Sequence, residues 1–389
     1  MHLARSSGSS CSLFVFVDAL GWEVIREREF LADLLTVRRP VETVLGYSCA
    51  CDPTILTGVS PSEHGHFSFF RYSPSQSPFR GLQLLELLPR ALVERARVRR
   101  LLSRGLRRLY GFTGYFELYN VPFRHLPEFT YTETRDLYEA GGINGGQLTV
   151  FDHFRSAALP YHLSDWRQDE ATNLRAAARA LEGGTPRAAY VYLAGLDGRM
   201  HALGTRAPQV ERHLEWYDRE LRRLVDTAAR QYGEVRLHIF SDHGMADVTD
   251  VCDVAGRVDA LGYRFGRDYV AVYDSTMARF WFSDPNVRTT VEAALADEPR
   301  GRVLSEDELA AYGASFPDGR YGESIFLLEP GVLLCPSFMG LRPIAGMHGY
   351  RPTHPTSTAS YLSNVEVPRA PHRLQDLFGT MLADVGLAA

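Results

Sequence analysis

Six side chains and one hydroxyl carry the chemistry this sequence can do. Asp18, Asp197, His201, Asp242, His243 and His348 are metal-type donors. Each stands just after an apolar, strand-like run or inside a glycine-flanked turn. Asp18 ends the run Ser12 to Val17. Asp197 follows the run Ala188 to Leu193, and His201 comes four residues later, so on a helix the two share a face. Asp242 and His243 follow Val235 to Phe240; adjacent residues cannot share a helical face, but in a turn they reach one ion. His348 lies in Gly346-Met347-His348-Gly349-Tyr350. Three Asp and three His make two sites of three ligands. That donor mixture suits zinc with an open position, with manganese as second choice. Two such divalent ions held ~4 Å apart form the clamp used for phosphoryl displacement.

The hydroxyl is Ser48. The stretch Gly46 to Gly58 reads as a strand, Val41 to Leu45, turning into a short helix stopped by Thr57-Gly58. Ser48 then opens that helix, where backbone N–H groups are unpaired and the dipole favours negative charge. A cation beside it lowers its pKa and delivers an alkoxide. The bland alternatives are helix capping for the Ser and turn formation for each lone Asp. What outweighs them is coincidence. All six donors fall at strand ends or Gly turns of one α/β pattern, where open sheets gather their ligands. His64 and His66 follow the Ser48 helix and are expected to support the site rather than to ligate.

At 389 residues the chain can bury a sizeable core. Its net charge of −5 gives no basic field for nucleic acid, and none is expected as a partner. No lysine occurs, so Schiff-base, phosphate-loop and pyridoxal-phosphate lysines are excluded. The five cysteines fit neither a disulfide framework nor a zinc ribbon, and read as reduced thiols of a cytoplasmic protein. Leu13 to Val17 is too short to span a bilayer and reads as a buried strand rather than a signal peptide.

The periodicity predicts α/β architecture, with a mostly parallel central sheet flanked by helices and interrupted by inserted cap segments. Trp22 to Leu35, Glu170 to Glu182, Pro208 to Gln231 and His372 to Val385 read as helices. Residues 1–389 are read as one catalytic domain. Within it, 67–150 is an inserted helical and aromatic cap, expected to be helix and loop rather than sheet. It holds an Arg-rich helix within Leu82 to Leu109, aromatics from Tyr110 to Tyr131 and a flexible Gly loop, Gly141 to Gly146. Residues 251–339 form a second inserted segment, α+β, with strands at Tyr269 to Val272, Arg279 to Phe282 and Ile325 to Leu328.

These residues together resemble the alkaline phosphatase superfamily, and within it the type I phosphodiesterase/nucleotide pyrophosphatase branch. The matching pieces are Val17-Asp18-Ala19-Leu20-Gly21, the turn Ser48 to Gly58 with Pro61-Ser62-Glu63-His64-Gly65, Asp197-Gly198-Arg199-Met200-His201, Ser241-Asp242-His243-Gly244-Met245 and Gly346 to Tyr350. The resemblance implies one metal on Asp197, His201 and His348, and another on Asp18, Asp242 and His243. Ser48 would be nucleophile and shared ligand. That position is usually Thr in this branch, Ser in phosphatases and a modified Cys in sulfatases. Cys49 is one place off, so no formylglycine is expected. The branch usually carries an Asn soon after the His-Gly pair. Here the stretch reads His66-Phe67-Ser68-Phe69-Phe70-Arg71, and Ser68 or Arg71 is the candidate substitute.

The implied activity is two-metal hydrolysis of a phosphodiester or pyrophosphate bond through phospho-Ser48. The substrate is expected to be a small phosphate ester, either a nucleotide or a lipid or sugar phosphodiester. A phosphomonoesterase, phosphonate hydrolase or phosphotransferase of the same superfamily fits the same residues. An inactive metal-binding homologue is the remoter alternative. The Arg-rich helix reads either as a phosphate or anionic-membrane contact or as a solvated face.

Overall fold

The computed structural model describes residues 10–89, 95–367 and 369–388. Its centre is a six-stranded sheet in the order Val37–Val41, Ala359–Ser363, Glu234–Phe240, Ser10–Val17, Ala188–Leu193 and Tyr161–Leu163. Ser10–Val17 runs parallel to both its neighbours, and Tyr161–Leu163 is parallel to Ala188–Leu193. Ala359–Ser363 is antiparallel to the strands on either side of it.

Ser10–Val17 shows why its sequence is apolar throughout. Leu13, Val15 and Val17 join a cluster with Leu174, Leu221 and Leu224 on one face. Phe14 and Phe16 join another with Ile55, Phe151 and Met381 on the other. A strand covered on both faces needs no polar alternation. Helices Glu170–Glu182, Gly195–Leu203 and Pro208–Ala229 cover the first face, and Ser48–Thr57, Val150–Ser156 and Leu374–Asp384 the second. Each fully buried Leu in these layers contributes ~1.5–3 kcal/mol.

Residues 67–150 and 251–339 both contain strand. Phe70–Tyr72 pairs with Phe129–Tyr131, so 67–150 is not free of sheet as its sequence suggested. Residues 251–339 carry an antiparallel sheet of four strands, Tyr269–Tyr273, Met277–Phe282, Ser324–Leu328 and Gly301–Val303. Phe70, Phe116 and Tyr131 of the first stretch share one hydrophobic cluster with Val272, Phe280 and Phe326 of the second.

Four other local expectations change. The helix expected at Trp22 to Leu35 stops after Trp22–Ile25. Leu31 adopts φ +48° and gives its N–H to Asp218 Oδ2 at 2.7 Å, while Arg38 Nη2 takes the carbonyls of Ile25 and Arg28 at 2.6 and 2.8 Å. These tertiary hydrogen bonds replace the helical ladder. The strand expected at Val41 to Leu45 lies at Val37–Val41, an edge position that accommodates Pro40. The Gly loop is pinned: Asn144 N–H donates to His66 Nε2 at 3.0 Å. Of the Arg-rich stretch, Arg80–Leu87 is a 3₁₀ helix and Ala96–Leu109 an α-helix. Residues 90–94, within the helix expected there, lie outside the described residues.

Candidate functional site

The three middle strands end side by side and deliver Asp18, Asp197 and Asp242 to one edge. Asp18 N–H donates to Leu193 O at 2.9 Å, continuing the parallel ladder one residue past the strand. Ala19 then turns sharply at φ +61°, unusual for a residue with a Cβ, and its N–H donates to Asp242 Oδ1 at 3.1 Å. Gly21 is required beside it, because a Cβ there would lie 2.4 Å from Gly244 Cα.

His243 is the hub. Its Nε2 lies 2.9 Å from Asp242 Oδ2, 3.7 Å from Asp18 Oδ1 and 3.1 Å from Ser48 Oγ. Nδ1 is 2.9 Å from Gly244 O. With Nδ1–H donating there, Nε2 keeps a lone pair for a ligand. Ser48 begins the helix Ser48–Thr57, so the N–H groups of Ser48 and Cys49 have no partner in the helix's own ladder.

Asp197 and His201 share one face of Gly195–Leu203, with His201 Nε2 3.2 Å from Asp197 Oδ1. His201 Nδ1 is 2.8 Å from Gly346 O, which again orients Nε2 inward. His348 Nε2 is 3.6 Å from Asp197 Oδ1, and its ring stacks on His243 with centroids 3.7 Å apart. Gly349 lets this turn pass Tyr47: its φ is +88°, and a Cβ would meet Tyr47 Cε1 at 2.5 Å.

Six of the sequence-predicted donors thus meet around Ser48. The tight triads, with donor atoms within 4.8 Å of one another, are Asp18, Asp242 and His243, and Asp197, His243 and His348. His243 belongs to both. His201 touches Asp197 but stands outside the second triad, which differs from the ligand split the resemblance implies.

The electrostatics leave this cluster short of positive charge. Asp18 Oδ1, Asp197 Oδ1 and Asp242 Oδ2 are buried and make no hydrogen bond. Burial first, then the charges of Asp242 and Asp197, hold the Asp18 carboxyl well above its usual range. Burial and the neighbouring His243 and His201 keep His348 well below its usual range, so it is a neutral imidazole. Burial opposes charging His243, but Asp242 outweighs it and raises the pKa. Buried, unpaired carboxylate oxygens converging with lone-pair imidazoles fit divalent cations, which would repay that desolvation.

The cluster forms one end of a cavity of about 370 Å³. Residues 67–150 and 251–339 both wall it, with Phe69, Tyr115, Tyr119 and Tyr138 from the first stretch and Asp274 and Met339 from the second. Ser68 faces the cavity. Its Oγ accepts from Arg279 Nη2 at 2.9 Å and lies 3.3 Å from Asp274 Oδ1. Arg71 does not line the cavity; its Nε donates to Thr130 Oγ1 at 2.9 Å. His64 Nε2 pairs with Thr54 Oγ1 at 3.0 Å and His64 Nδ1 accepts from His66 N–H at 3.1 Å. The His64 imidazole thus ties the backbone at His66 to the Ser48 helix, while the His66 ring holds Asn144 of the Gly loop.

The sequence reading missed Asp52, Glu133 and the fully buried Arg279–Asp274 pair, joined at 2.8 Å. Asp52 stands four residues after Ser48 on the same helix, a spacing that could have found it. Arg279 is a charge inside an otherwise apolar strand, which is also a signal. Glu133 offered none.

Glu133 gives this cavity a pH dependence. Burial, with the Asp136 charge adding to it, pushes the Glu133 carboxyl up to about 8 from an ordinary 4.5. The native state therefore keeps a proton that the unfolded chain has lost. Its contribution to stability is full below the unfolded value and is lost as pH rises through about 8. In chelated protein, raising the pH from about 5 to 8 is expected to cost the wild type more stability than Glu133→Gln, by ~1–4 kcal/mol. Parallel melting curves for the two proteins would remove Glu133 from this role.

The layered sheet has the same fold as the solved structures named below. The model of the type I phosphodiesterase / nucleotide pyrophosphatase family matches residues 13–351, and the chain belongs to that family. Human ectonucleotide pyrophosphatase / phosphodiesterase 5 has a similar structure, with TM-score 0.68 and 13% identity over 97% of this chain and 96% of that one. The murine protein, as an inactive variant in complex with AMP, gives TM-score 0.68 and 15% identity over 98% and 96%. A second murine structure gives 0.66 and 16% over 97% and 96%. At these identities the likeness is one of fold. No curated protein matches the chain in sequence.

Proposed function

We propose that the protein is a two-metal phosphodiesterase that cleaves a phosphodiester or pyrophosphate bond in a small phosphate ester through a phospho-Ser48 intermediate. The observation that carries this reading is the convergence of three unpaired buried carboxylate oxygens on His243, whose Nε2 lies 3.1 Å from Ser48 Oγ. Bound divalent cations, zinc first and manganese second, would lower the pKa of the hydroxyl and neutralise charge on the departing oxygen.

The chain's own groups do the rest. Ser48 Oγ is placed at a helix start with its proton removable, and forms the new O–P bond as the bond to the leaving oxygen breaks. The N–H groups of Ser48 and Cys49, free of the helix's own ladder, would meet phosphoryl oxygens at the positive end of the helix. Ser68, held by Arg279, offers a hydroxyl where the family usually places Asn. Water then cleaves the Ser48 Oγ–P bond, releases the phosphate with its remaining substituent and restores Ser48. The aromatic cavity receives an organic group of the ester, and the AMP bound by the murine relative supports a nucleotide as one occupant.

The test is turnover of bis-p-nitrophenyl phosphate against p-nitrophenyl phosphate after loading with zinc or manganese, with products analysed in the presence of alcohol acceptors. The diester is expected to turn over faster, with water as acceptor. Preference for the monoester, phosphoryl transfer to the alcohol, or no turnover under any divalent ion would overturn the proposal.

A further inference from the structure

The helix Ala96–Leu109 has no part in the site, yet its outer face is unlike the rest of the surface. It carries six arginines and no acidic residue. The inner face is seated firmly. Arg99 lies over the Phe123 ring at 4.0 Å and donates to Val121 O at 2.8 Å. Ser103 Oγ donates to Arg99 O at 2.8 Å and accepts from Leu118 N–H at 3.0 Å. The helix is therefore braced against the loop that sends Tyr115 and Tyr119 into the cavity.

The outer face presents Arg97, Arg100, Arg104 and Arg108, spaced so that they form one stripe along the helix. None of the four makes an ion pair among the described residues. Glu117 is the carboxylate whose charge reaches Arg100 and Arg104. Beside the stripe stand Leu101 and Leu109, 70% and 75% exposed. On the 3₁₀ helix Arg80–Leu87 and the residue after it, Leu84, Leu87 and Leu88 are also exposed, at 66%, 85% and 47%. Leu82 and Leu85 of that element pack on the same core cluster as Leu102 and Leu106. Glu86 is already paired with Arg124 at 2.9 Å.

A stripe of cations alone would suit any polyanion. Exposed leucines gain nothing from a phosphodiester backbone in water, but they gain burial in the acyl region of a bilayer. We propose that this face, Arg97, Arg100, Arg104 and Arg108 with Leu101 and Leu109, is a peripheral contact for an anionic lipid bilayer. The arginines meet the headgroup phosphates and the leucines enter the interface between them. Among the described residues no helix is long and apolar enough to cross a membrane, and the proposed contact lies on the surface.

The test is sedimentation of the full-length protein with vesicles of phosphatidylcholine alone and of phosphatidylcholine with phosphatidylserine. Binding is expected to the mixed vesicles only, and to weaken as salt is raised. Replacing the four arginines together (R97Q/R100Q/R104Q/R108Q) should lower vesicle affinity about a hundred-fold or more. The pair Leu101→Ser and Leu109→Ser should lower it about ten-fold with all charges kept. Turnover of a soluble diester should be unchanged in both variants, so failure here is separable from failure of the proposed activity. Equal binding to both vesicle types, or wild-type binding by either variant, would overturn the proposal. So would binding to homopolymer RNA without binding to vesicles, which would mark the face as a nucleic-acid contact.

Discussion

Ser48→Ala is expected to cut turnover of a chromogenic phosphodiester by at least about three orders of magnitude while leaving the fold and metal content near wild type. The side chain removed is small and half-buried, and its Oγ has one close partner, His243 Nε2 at 3.1 Å. Little packing is lost. What disappears is the atom proposed to bond to phosphorus. Acid quenching of the wild type during turnover should trap the phosphoryl group, still carrying the substrate's second ester group, on the peptide that contains Ser48, and the variant should trap none. Undiminished turnover in Ser48→Ala would exclude it as the nucleophile, whatever the metal content.

Asp242→Asn should separate holding cations from holding the fold. Asp242 is fully buried, with Oδ1 accepting from Ala19 N–H at 3.1 Å and Oδ2 without a hydrogen bond. An amide can still accept from Ala19 but gives up the charge that a cation needs. Removing several kcal/mol of charge stabilisation at the reacting centre corresponds to a fall of roughly a thousand-fold in kcat. Metal content should fall with it.

The same substitution should act in the opposite direction on the stripped protein. With cations chelated, Asp18, Asp197 and Asp242 crowd one buried site, and the Asp242 charge is among the causes that raise the Asp18 carboxyl. Neutralising Asp242 relieves that repulsion by ~1–3 kcal/mol. The chelated variant should therefore melt above the chelated wild type, and the metal-loaded variant below the loaded wild type. A variant that melts lower in both states would show that Asp242 matters to the fold alone.

Sequence reasoning reached the parts of this structure that one stretch of chain decides by itself. A strand buried on both faces must be apolar throughout, and Ser12 to Val17, Ala188 to Leu193 and Val235 to Phe240 were visible for that reason. Their ends located Asp18, Asp197 and Asp242, and helical spacing placed His201 on Asp197's face. Features set by distant partners were not visible. The Trp22 helix stops early because Arg38, beyond the expected helix, and Asp218, far along the chain, take backbone groups of this stretch. Glu133 becomes a cavity group only when Phe70–Tyr72 pairs with Phe129–Tyr131. His243 lies in both donor triads because of side-chain placement that spacing along the chain does not specify.

The cluster in which Phe70, Phe116 and Tyr131 interleave with Val272, Phe280 and Phe326 bears on how this scaffold can be re-engineered. Neither stretch owns the apolar surface it buries. A chimera that transplants 67–150 from a relative onto this framework would set foreign side chains against a native half-interface, leaving voids and clashes under the binding pocket. Exchange of leaving-group preference between relatives should therefore succeed only when both segments travel as a matched pair.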